Sequence, residues 1–279
     1  MKIPYRFATL NAFLRKSVGN RRHHVGLSEF AVTVFRPGKR WRGMRWVDRV
    51  ENVPDKKQIR VWIKGLPRPF TFPQEADFAG LCSTIDEACN PKHWHQYQID
   101  QTRVTADDVV VDCGGAEGLF SLQAATVAQH VYVLEPLQEF FDCLSDTFRG
   151  VPNVTILQCC AGETDKAGQL FVQGFYSSQE SMDRSNMQAT TVRSLDSLLG
   201  NLEKPITYIK ADIEGFELEM LRGAKQIISK SKPKIALTTY HGPNDVDEIE
   251  GFLSSLRPDY SFLRKGLTTG GKPTMLHAW

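Results

Sequence analysis

A run of valines that ends in a glycine-rich turn constrains this chain most. The segment from Val109 to Phe120 reads VVVDCGGAEGLF. Consecutive valines are typical of a parallel strand that is buried on both faces. Glycines at the turn that follows let a ligand approach the backbone closely, and the next helix, predicted at residues 117–129, offers free N–H groups. The segment therefore predicts a loop that binds a nucleotide-type cofactor.

The spacing of the glycines indicates which cofactor the loop holds. A dinucleotide-binding turn needs glycines at positions i, i+2 and i+5, and neither Gly114 nor Gly115 begins such a series. This argues against an NAD-dependent oxidoreductase. Asp112, Gly114, Ala116 and Gly118 instead fit Asp-x-Gly-x-(Gly/Ala)-x-Gly, which resembles motif I of the class I S-adenosylmethionine-dependent methyltransferases. We expect these residues and Gly115 to bind that cofactor, with Asp112 near its ammonium group.

A second apolar strand ends in an acid, seventeen residues after Gly118. The strand is VYVLEP, and its Glu135, followed by Pro136, stands where a carboxylate accepts both hydroxyls of a ribose. The alternative is that Glu135 caps the helix predicted at residues 137–149. From position alone, the adenine is expected beside Cys160 and Ala161.

The order of the predicted elements gives the fold class. Strands at residues 109–113, 131–135, 154–159, 206–211 and 235–240 alternate with helices at 117–129, 137–149, 216–230 and 245–256, a period that predicts a parallel sheet with helices on both faces. A closing pair, 260–264 and 273–279, resembles the antiparallel hairpin that ends the methyltransferase sheet. We therefore predict an α/β, Rossmann-like, seven-stranded and mostly parallel sheet. Residues 174–190 are predicted to be a long irregular loop.

The N-terminal region differs in charge and in pattern. Residues 1–64 contain sixteen Lys and Arg and four acids, a net charge of +12, whereas residues 65–279 carry −10. Strands are expected at 31–35, 58–64 and 67–73, and a helix at 78–89. Residues 1–90 are thus predicted to be a basic, β-rich region that precedes the cofactor-binding domain at 91–279. The charge suggests an anionic partner or acceptor, or a membrane surface touched by a short amphipathic helix with Phe7, Leu10 and Leu14 on one face. A solvated basic face is the alternative.

The cysteines and histidines give weaker signals. The six cysteines form no C-x-x-C pair, and we expect them to be reduced. The protein is accordingly expected to be cytoplasmic, or peripheral to a membrane. Cys89, His93 and His95 could be drawn as a zinc cluster. Because no second ligand pair has metal-site spacing, buried structural side chains are the preferred interpretation.

The segment around the fourth strand has a distinctive order of residues. It contains Ser194, Leu195, Asp196, Lys210, Asp212, Glu214, Gly215, Glu217, Leu221, Gly223 and Ala224. These residues resemble the pattern of the FkbM family of methyltransferases, which is a Thr-Leu-Asp-like element, then Lys-x-Asp-x-Glu-Gly-x-Glu, a helix and Leu-x-Gly-Ala. The match covers about residues 95–245, and it implies an S-adenosylmethionine-dependent methyltransferase.

Asp212 and Glu214 alternate at the carboxyl end of the fourth strand, where α/β sheets bind ligands. Asp212 is expected to orient the acceptor hydroxyl, to accept its proton, or to hold a divalent cation together with Glu214. The alternative is that both acids cap the helix predicted to begin near Phe216. Lys210 is expected to pair with Asp196 or Asp212. His241 follows the fifth strand and is predicted to be a general base, with a backbone-bonded turn histidine as the alternative.

A hydroxyl group on a sugar, a glycolipid or a secondary metabolite is the expected acceptor. The fourth strand ends in Ala-Asp-Ile-Glu and lacks the Asn/Asp-Pro-Pro-aromatic motif with which methyltransferases bind the amino group of a base, so a nucleic-acid substrate is not favoured. Two alternatives stay open at this point. One is an NAD-dependent oxidoreductase, and the other is a non-catalytic or membrane-associated binding module that retains the fold.

Overall fold

The computed structural model describes Phe13, His23–His24, Phe30 and residues 39–173, 176–178, 187–241, 246–268 and 271–279. The strands among them are β1 (His23–His24), β2 (Val47–Val53), β3 (Gln58–Ile63), β4 (Phe70–Pro73), β5 (Val109–Cys113), β6 (His130–Leu134), β7 (Val154–Leu157), β8 (Cys160–Ala161), β9 (Lys166–Gln173), β10 (Tyr176–Ser178), β11 (Met187–Arg193), β12 (Tyr208–Ala211), β13 (Lys234–Thr238), β14 (Phe262–Lys265) and β15 (Met275–Ala278). The α-helices are α1 (Lys39–Met44), α2 (Phe78–Cys89), α3 (Leu119–Ala125), α4 (Gln138–Thr147), α5 (Leu195–Leu199), α6 (Glu217–Arg222), α7 (Lys225–Ser231) and α8 (Val246–Leu256).

Seven strands form the predicted central sheet in the order β14-β15-β13-β12-β5-β6-β7, and β1 extends it by a two-residue pairing with β14. The strands from β13 to β7 are parallel, whereas β15 runs antiparallel to both β13 and β14. The α/β fold with a closing antiparallel hairpin is therefore confirmed. The predicted strands of this sheet and the helices between them, except the one predicted at 216–230, are found with shifts of a few residues at their ends.

The three valines of β5 are buried because helices cover both faces of the sheet. Val110 packs into one hydrophobic core, while Val109 and Val111 pack into the other, as the two-residue period of a strand requires. Parallel strands that lie between two helical layers read as continuous apolar runs. The valine run thus places β5 at the centre of the sheet, with its carboxyl end between those of β6 and β12.

The N-terminal region forms an antiparallel sheet, β2-β3-β4, that packs on the larger domain. In β3, Ile59, Val61 and Ile63 are buried, and they belong to the same core as Val110 and Phe140 of the central domain. The amide of Thr71 donates to the hydroxyl of Thr147 at 2.8 Å. The division at residue 90 is therefore one of composition and charge, and the two regions share a core.

One sequence-based prediction of an irregular segment is wrong. The stretch predicted as an irregular loop, 174–190, contains β10 and the beginning of β11, which pair with β9 in a second sheet of order β10-β9-β11-β8. The Ser, Gln and Asn residues of this stretch do not predict strands. The strands form because their backbone pairs with β9, a contact that the local sequence does not indicate. The expected strand at 31–35 and the amphipathic helix with Phe7, Leu10 and Leu14 lie outside the described residues.

The helix predicted at 216–230 is two helices, α6 and α7. They separate at Gly223, where a Cβ atom would lie 2.1 Å from the carbonyl oxygen of Gly162. The carboxylate of Asp196 then accepts hydrogen bonds from the amides of Gln226 (2.9 Å) and Ile227 (3.0 Å), which satisfies the first turn of α7. Asp196 is thus occupied as a helix cap, and its expected pairing with Lys210 is not found.

Over the residues that the structure describes, no helix has both the length and the apolar composition that a membrane span requires.

Candidate functional site

Two adjoining cavities lie where the carboxyl ends of β5, β6, β12 and β13 meet. The smaller has a volume of about 100 Å³ and the larger about 670 Å³. Gly114, Ala116, Asp212 and Glu214 line both. This edge is where parallel α/β sheets bind their ligands, and these four residues form the wall that the two cavities share.

The glycine loop is shaped first of all by packing against the neighbouring strand. Gly114 has a φ of +79°, and a Cβ atom on it would lie 2.2 Å from the carbonyl oxygen of Asp212. An L side chain there would therefore clash with backbone. Ala116 adopts a left-handed φ of +42°, which is strained for a residue with a Cβ atom. The close approach at Gly114 holds Asp212 directly beside the loop.

Glu135 lies at the smaller cavity together with Pro136, Cys160 and Ala161, all of which the sequence assigned to the cofactor. Its carboxylate accepts from the amide of Ala116 at 2.8 Å and from that of Leu137 at 2.9 Å. Burial raises the pKa of Glu135 to about 7, although both amides oppose the shift. The carboxylate therefore links the loop after β5 to the turn before α4, in the position expected for a ribose acceptor.

Asp112 is fully buried, and it lines neither cavity. Its carboxylate lies 2.7 Å from the ammonium of Lys210 and accepts from the hydroxyl of Ser121 at 2.6 Å. Lys210 in turn donates to the carbonyl oxygen of Gly114 at 2.6 Å. Lys210 thus pairs with Asp112 rather than with Asp196 or Asp212. This buried ion pair stabilises the glycine loop through the hydrogen bond to Gly114.

Asp212 lies at the centre of a hydrogen-bonded group in the shared wall. It accepts from the Tyr97 hydroxyl at 2.7 Å and from the Thr238 hydroxyl at 3.2 Å. Nε2 of His95 is 3.8 Å from one of its oxygens, and Nδ1 of His241 is 3.5 Å from the other. Burial would raise the pKa of Asp212, but the two histidines, Lys210 and the Tyr97 hydroxyl together hold it below its usual value. Asp212 is therefore ionised at neutral pH.

His241 lies against the acids of the wall, as the strand order predicts. Burial lowers its pKa from 6.5, with Asp212 opposing the shift, so the imidazole is neutral at pH 7. Its Nε2 lies 3.4 Å from Oε2 of Glu214, and burial raises the pKa of Glu214 to about 7. Neither Asp212 nor Glu214 caps α6, because the residue at the cap is Phe216, without a side-chain hydrogen bond.

A further acid beside Asp212 is Glu217, which lines neither cavity and to which the sequence assigned no chemistry. Its fully buried carboxylate accepts from the amide of Ile213 at 3.1 Å and from the Thr238 hydroxyl at 2.9 Å. Ligand atoms of Asp212, Glu217 and His241 lie within 4.8 Å of one another, a group compatible with a divalent cation. Among the described residues, the acid that joins Asp212 in such a group is thus Glu217, whereas Glu214 was the expected one.

Sequence reasoning missed the wall that the segment before β5 supplies. His95 and Tyr97 lie in the larger cavity beside Asp212, and α2 adds Glu87. Cys89, His93 and His95 drew attention as a possible zinc cluster, yet burial raises the pKa of Cys89 to about 12, and Nδ1 of His93 accepts from the amide of His95. The spacing of these side chains along the chain gave no indication that His95 reaches β12.

The carboxylates of the larger cavity greatly outnumber its cations. Lys210 is the single Lys or Arg among the residues that line it, and its ammonium is already bound by Asp112 and Gly114. The acids in the lining are Glu75, Asp77, Glu87, Glu117, Glu139, Asp212 and Glu214.

Comparisons with known proteins identify the family of the chain. The model of the methyltransferase FkbM domain matches residues 112–262, more than half of the chain. The crystal structure of methyltransferase FkbM from Methylobacillus flagellatus KT superposes with a TM-score of 0.50 at 23% identity, over 75% of this chain and 56% of that one, so the chain spans little more than half of that relative. Fibrillarin from Aeropyrum pernix, solved with natively bound S-adenosyl-L-methionine, has a TM-score of 0.39 at 12% identity, covering 63% and 68% of the two chains. No curated protein matches the sequence.

The family model covers the end of β5, the glycine loop, β12 and the Lys-x-Asp-x-Glu-Gly-x-Glu segment, whereas the cavity-lining residues between Glu75 and Tyr97 lie outside it. The relative from Methylobacillus flagellatus shares the fold that carries the matched segment. The chain therefore belongs to the FkbM family of S-adenosylmethionine-dependent methyltransferases.

Proposed function

We propose that this methyltransferase acts on a hydroxyl group of a sugar, a glycolipid or a secondary metabolite. The observation that supports the proposal is Asp212, an ionised carboxylate between two imidazoles in the wall that both cavities share. S-adenosylmethionine supplies an activated methyl group. The proposal assigns the smaller cavity, with Glu135 and Cys160, to its adenosine part and the larger cavity to the acceptor.

Proton removal is the chemical task that an alcohol leaves to the protein. A hydroxyl oxygen that attacks the methyl carbon must lose its proton as the carbon–sulfur bond breaks and the electron pair moves to sulfur. His241 accepts this proton through Nε2, because its lowered pKa keeps the ring neutral. Asp212 lies 3.5 Å from Nδ1 and stabilises the imidazolium that forms through its negative charge. The remaining residues of the wall align the acceptor and exclude water.

An alternative role for Asp212 and Glu217 is to bind a divalent cation. A cation there would hold and polarise the acceptor hydroxyl, which lowers its pKa without a histidine base. The two roles differ in their requirement for metal. Removal of metal with a chelator abolishes turnover in the second role and leaves it unchanged in the first.

Calorimetric titration with S-adenosylmethionine and, separately, with NAD tests the cofactor, and we expect binding of the first alone. Incubation with methyl-deuterated cofactor and a panel of hydroxyl- and amine-bearing acceptors then tests the reaction. We expect mass spectrometry to find a deuterated methyl ether, and His241→Ala to reduce its rate about 10²–10⁴-fold. Label found on nitrogen alone, or full activity in His241→Ala, would refute the proposed reaction. The absence of any product together with intact cofactor binding favours a non-catalytic module.

We also propose that the basic N-terminal region contacts an anionic membrane surface. Among the described residues, four large hydrophobic side chains are exposed, and three of them, Trp41, Met44 and Val50, lie within ten positions of one another. Arg45 and Arg49 lie in the same stretch. Exposed aromatic and basic side chains together are typical of surfaces that associate with anionic lipids.

A further inference from the structure

The wall of the larger cavity that faces the acceptor contains an imidazole nitrogen without a hydrogen bond. Nδ1 of His95 is buried and has no hydrogen-bond partner among the described residues, and His95 is 5% exposed. Its nearest acid is Glu87, whose Oε2 lies 3.7 Å away, beyond hydrogen-bond distance. A buried polar atom that is left unpaired is unfavourable, so a ligand that donates to Nδ1 is favoured.

The surroundings of His95 determine which chemical group it accepts. Nε2 lies 3.2 Å from the Tyr240 hydroxyl and 3.8 Å from Asp212, so a proton on Nε2 faces acceptors and leaves the lone pair on Nδ1. Oε1 of Glu87 accepts from the Ser83 hydroxyl at 3.2 Å, which leaves Oε2 available. Two acceptors, one of them charged, are thus separated by a gap of 3.7 Å.

We propose that Glu87 and Nδ1 of His95 form a subsite for a protonated amine, and that the acceptor carries an ammonium group beside the hydroxyl that is methylated. An ammonium offers three donors and one positive charge, enough to reach both atoms at once. The excess of carboxylates in the same cavity adds to the attraction and repels an anionic acceptor. This inference rests on the proposed O-methylation.

The subsite also explains why the hydroxyl, and not the amine, would react. A primary amine that is protonated and paired with a carboxylate has no lone pair, so it cannot attack a methyl carbon. The hydroxyl keeps its lone pairs. Its oxygen forms the new bond to carbon, the carbon–sulfur bond breaks with its electron pair going to sulfur, and the hydroxyl proton goes to Nε2 of His241. Glu87 therefore selects the acceptor and prevents methylation of its nitrogen.

Three hexoses of similar size and different charge test the subsite. The full-length protein, saturated with S-adenosylhomocysteine, is titrated with D-glucosamine, D-glucose and D-glucuronate, and binding is followed by ligand-observed NMR. We expect glucosamine to bind at least tenfold more tightly than glucose, and glucuronate more weakly than either, since a charge-assisted hydrogen bond is roughly twice as strong as a neutral one.

Matched variants assign the preference to Glu87. Glu87→Gln keeps the shape and removes the charge, and it should abolish the preference for glucosamine. Glu163→Gln, an equal change at an exposed acid outside the cavity, should retain it. Similar binding of all three sugars, a preference for glucuronate, no binding of glucosamine, or an unchanged preference in Glu87→Gln would each overturn the proposal.

Two further measurements distinguish this proposal from a failure of the proposed function and from a metal site. S-adenosylhomocysteine affinity is determined on every sample, and its loss in the wild type contradicts the proposed function, whereas its retention in Glu87→Gln shows that the variant is folded. Relaxation enhancement by Mn²⁺ tests the competing occupant. If Mn²⁺ binds the wild type and Glu87→Gln prevents it, the carboxylate belongs to a metal site and the amine subsite is refuted.

Discussion

The basic N-terminal region and the acidic larger cavity carry opposite charge, although the elements that form them contribute to one core. Residues 1–64 have a net charge of +12, yet the acids in the larger cavity include Glu75, Asp77 and Glu87, which follow that segment directly. An anionic acceptor, which the charge of the whole region suggested, would meet carboxylates in the cavity. The comparison shows that the net charge of a sequence region indicates which partners its surface attracts. The charge of a cavity depends instead on the few side chains that line it.

If the two regions act separately, a change in the cavity should alter catalysis and leave surface binding unchanged. Asp212→Asn removes the charge that stabilises the imidazolium of His241, and we expect turnover to fall about 10²–10⁴-fold. Affinity for S-adenosylmethionine, measured by calorimetry, should stay within a few-fold of wild type, and vesicle binding should be unaffected. An active Asp212→Asn enzyme at all pH values would remove Asp212 from the mechanism.

The cofactor side of the cavity should respond in affinity instead of turnover. Glu135→Ala deprives a ribose of its carboxylate, and charge-assisted hydrogen bonds of about 1.5–3 kcal/mol each are lost. We expect affinity for S-adenosylmethionine to decrease by more than tenfold in a calorimetric titration. Because Glu135 also accepts from Ala116 and Leu137, thermal unfolding serves as the control. Unchanged affinity in a folded variant would contradict the assignment of the smaller cavity.

The pH dependence should belong to the cavity alone. A base must be deprotonated to act, and the pKa of His241 is lowered from 6.5 by burial. Turnover should therefore be level near pH 7 and decrease toward acid with a midpoint below 6.5, approaching tenfold per pH unit. A midpoint clearly above 6.5, in a steady-state profile of kcat, would indicate another base. Vesicle binding, which depends on arginines and lysines, should stay constant over the same range.

The smallest effect is expected at the basic surface. Arg49 is exposed, with its guanidinium 3.9 Å from the centre of the Trp62 ring, and Arg49→Gln should weaken binding to anionic vesicles about fivefold, corresponding to about 1 kcal/mol. Binding should weaken further as salt rises, because exposed charges are screened. Arg103→Gln, an exposed arginine outside this region, is the matched control. Equal effects of both changes would show that the attraction is non-specific, and no vesicle binding by the wild type would refute membrane contact.

Much of the central fold could be predicted from the sequence because its signals are local. The valine run of β5, the turn at Gly114 and the helix at Phe78–Cys89 depend on neighbours in the chain, and each is found where it is predicted. The second sheet could not be predicted, since β9 and β11 are stabilised by pairing with each other. Gly223 likewise gave no sign of its contact with Gly162, which divides α6 from α7.

By itself, the sequence determined the fold class, the family and the residues at the carboxyl edge, because residue type and spacing along a strand fix which side chains reach that edge. Tertiary structure alone decided how those residues divide the work. Lys210 pairs with Asp112, and His95 and Tyr97 contact Asp212 although they are more than a hundred positions away in the sequence. Glu87 lines the larger cavity. These are contacts between distant segments, and their distances depend on how the helices and sheets pack, which no local pattern encodes.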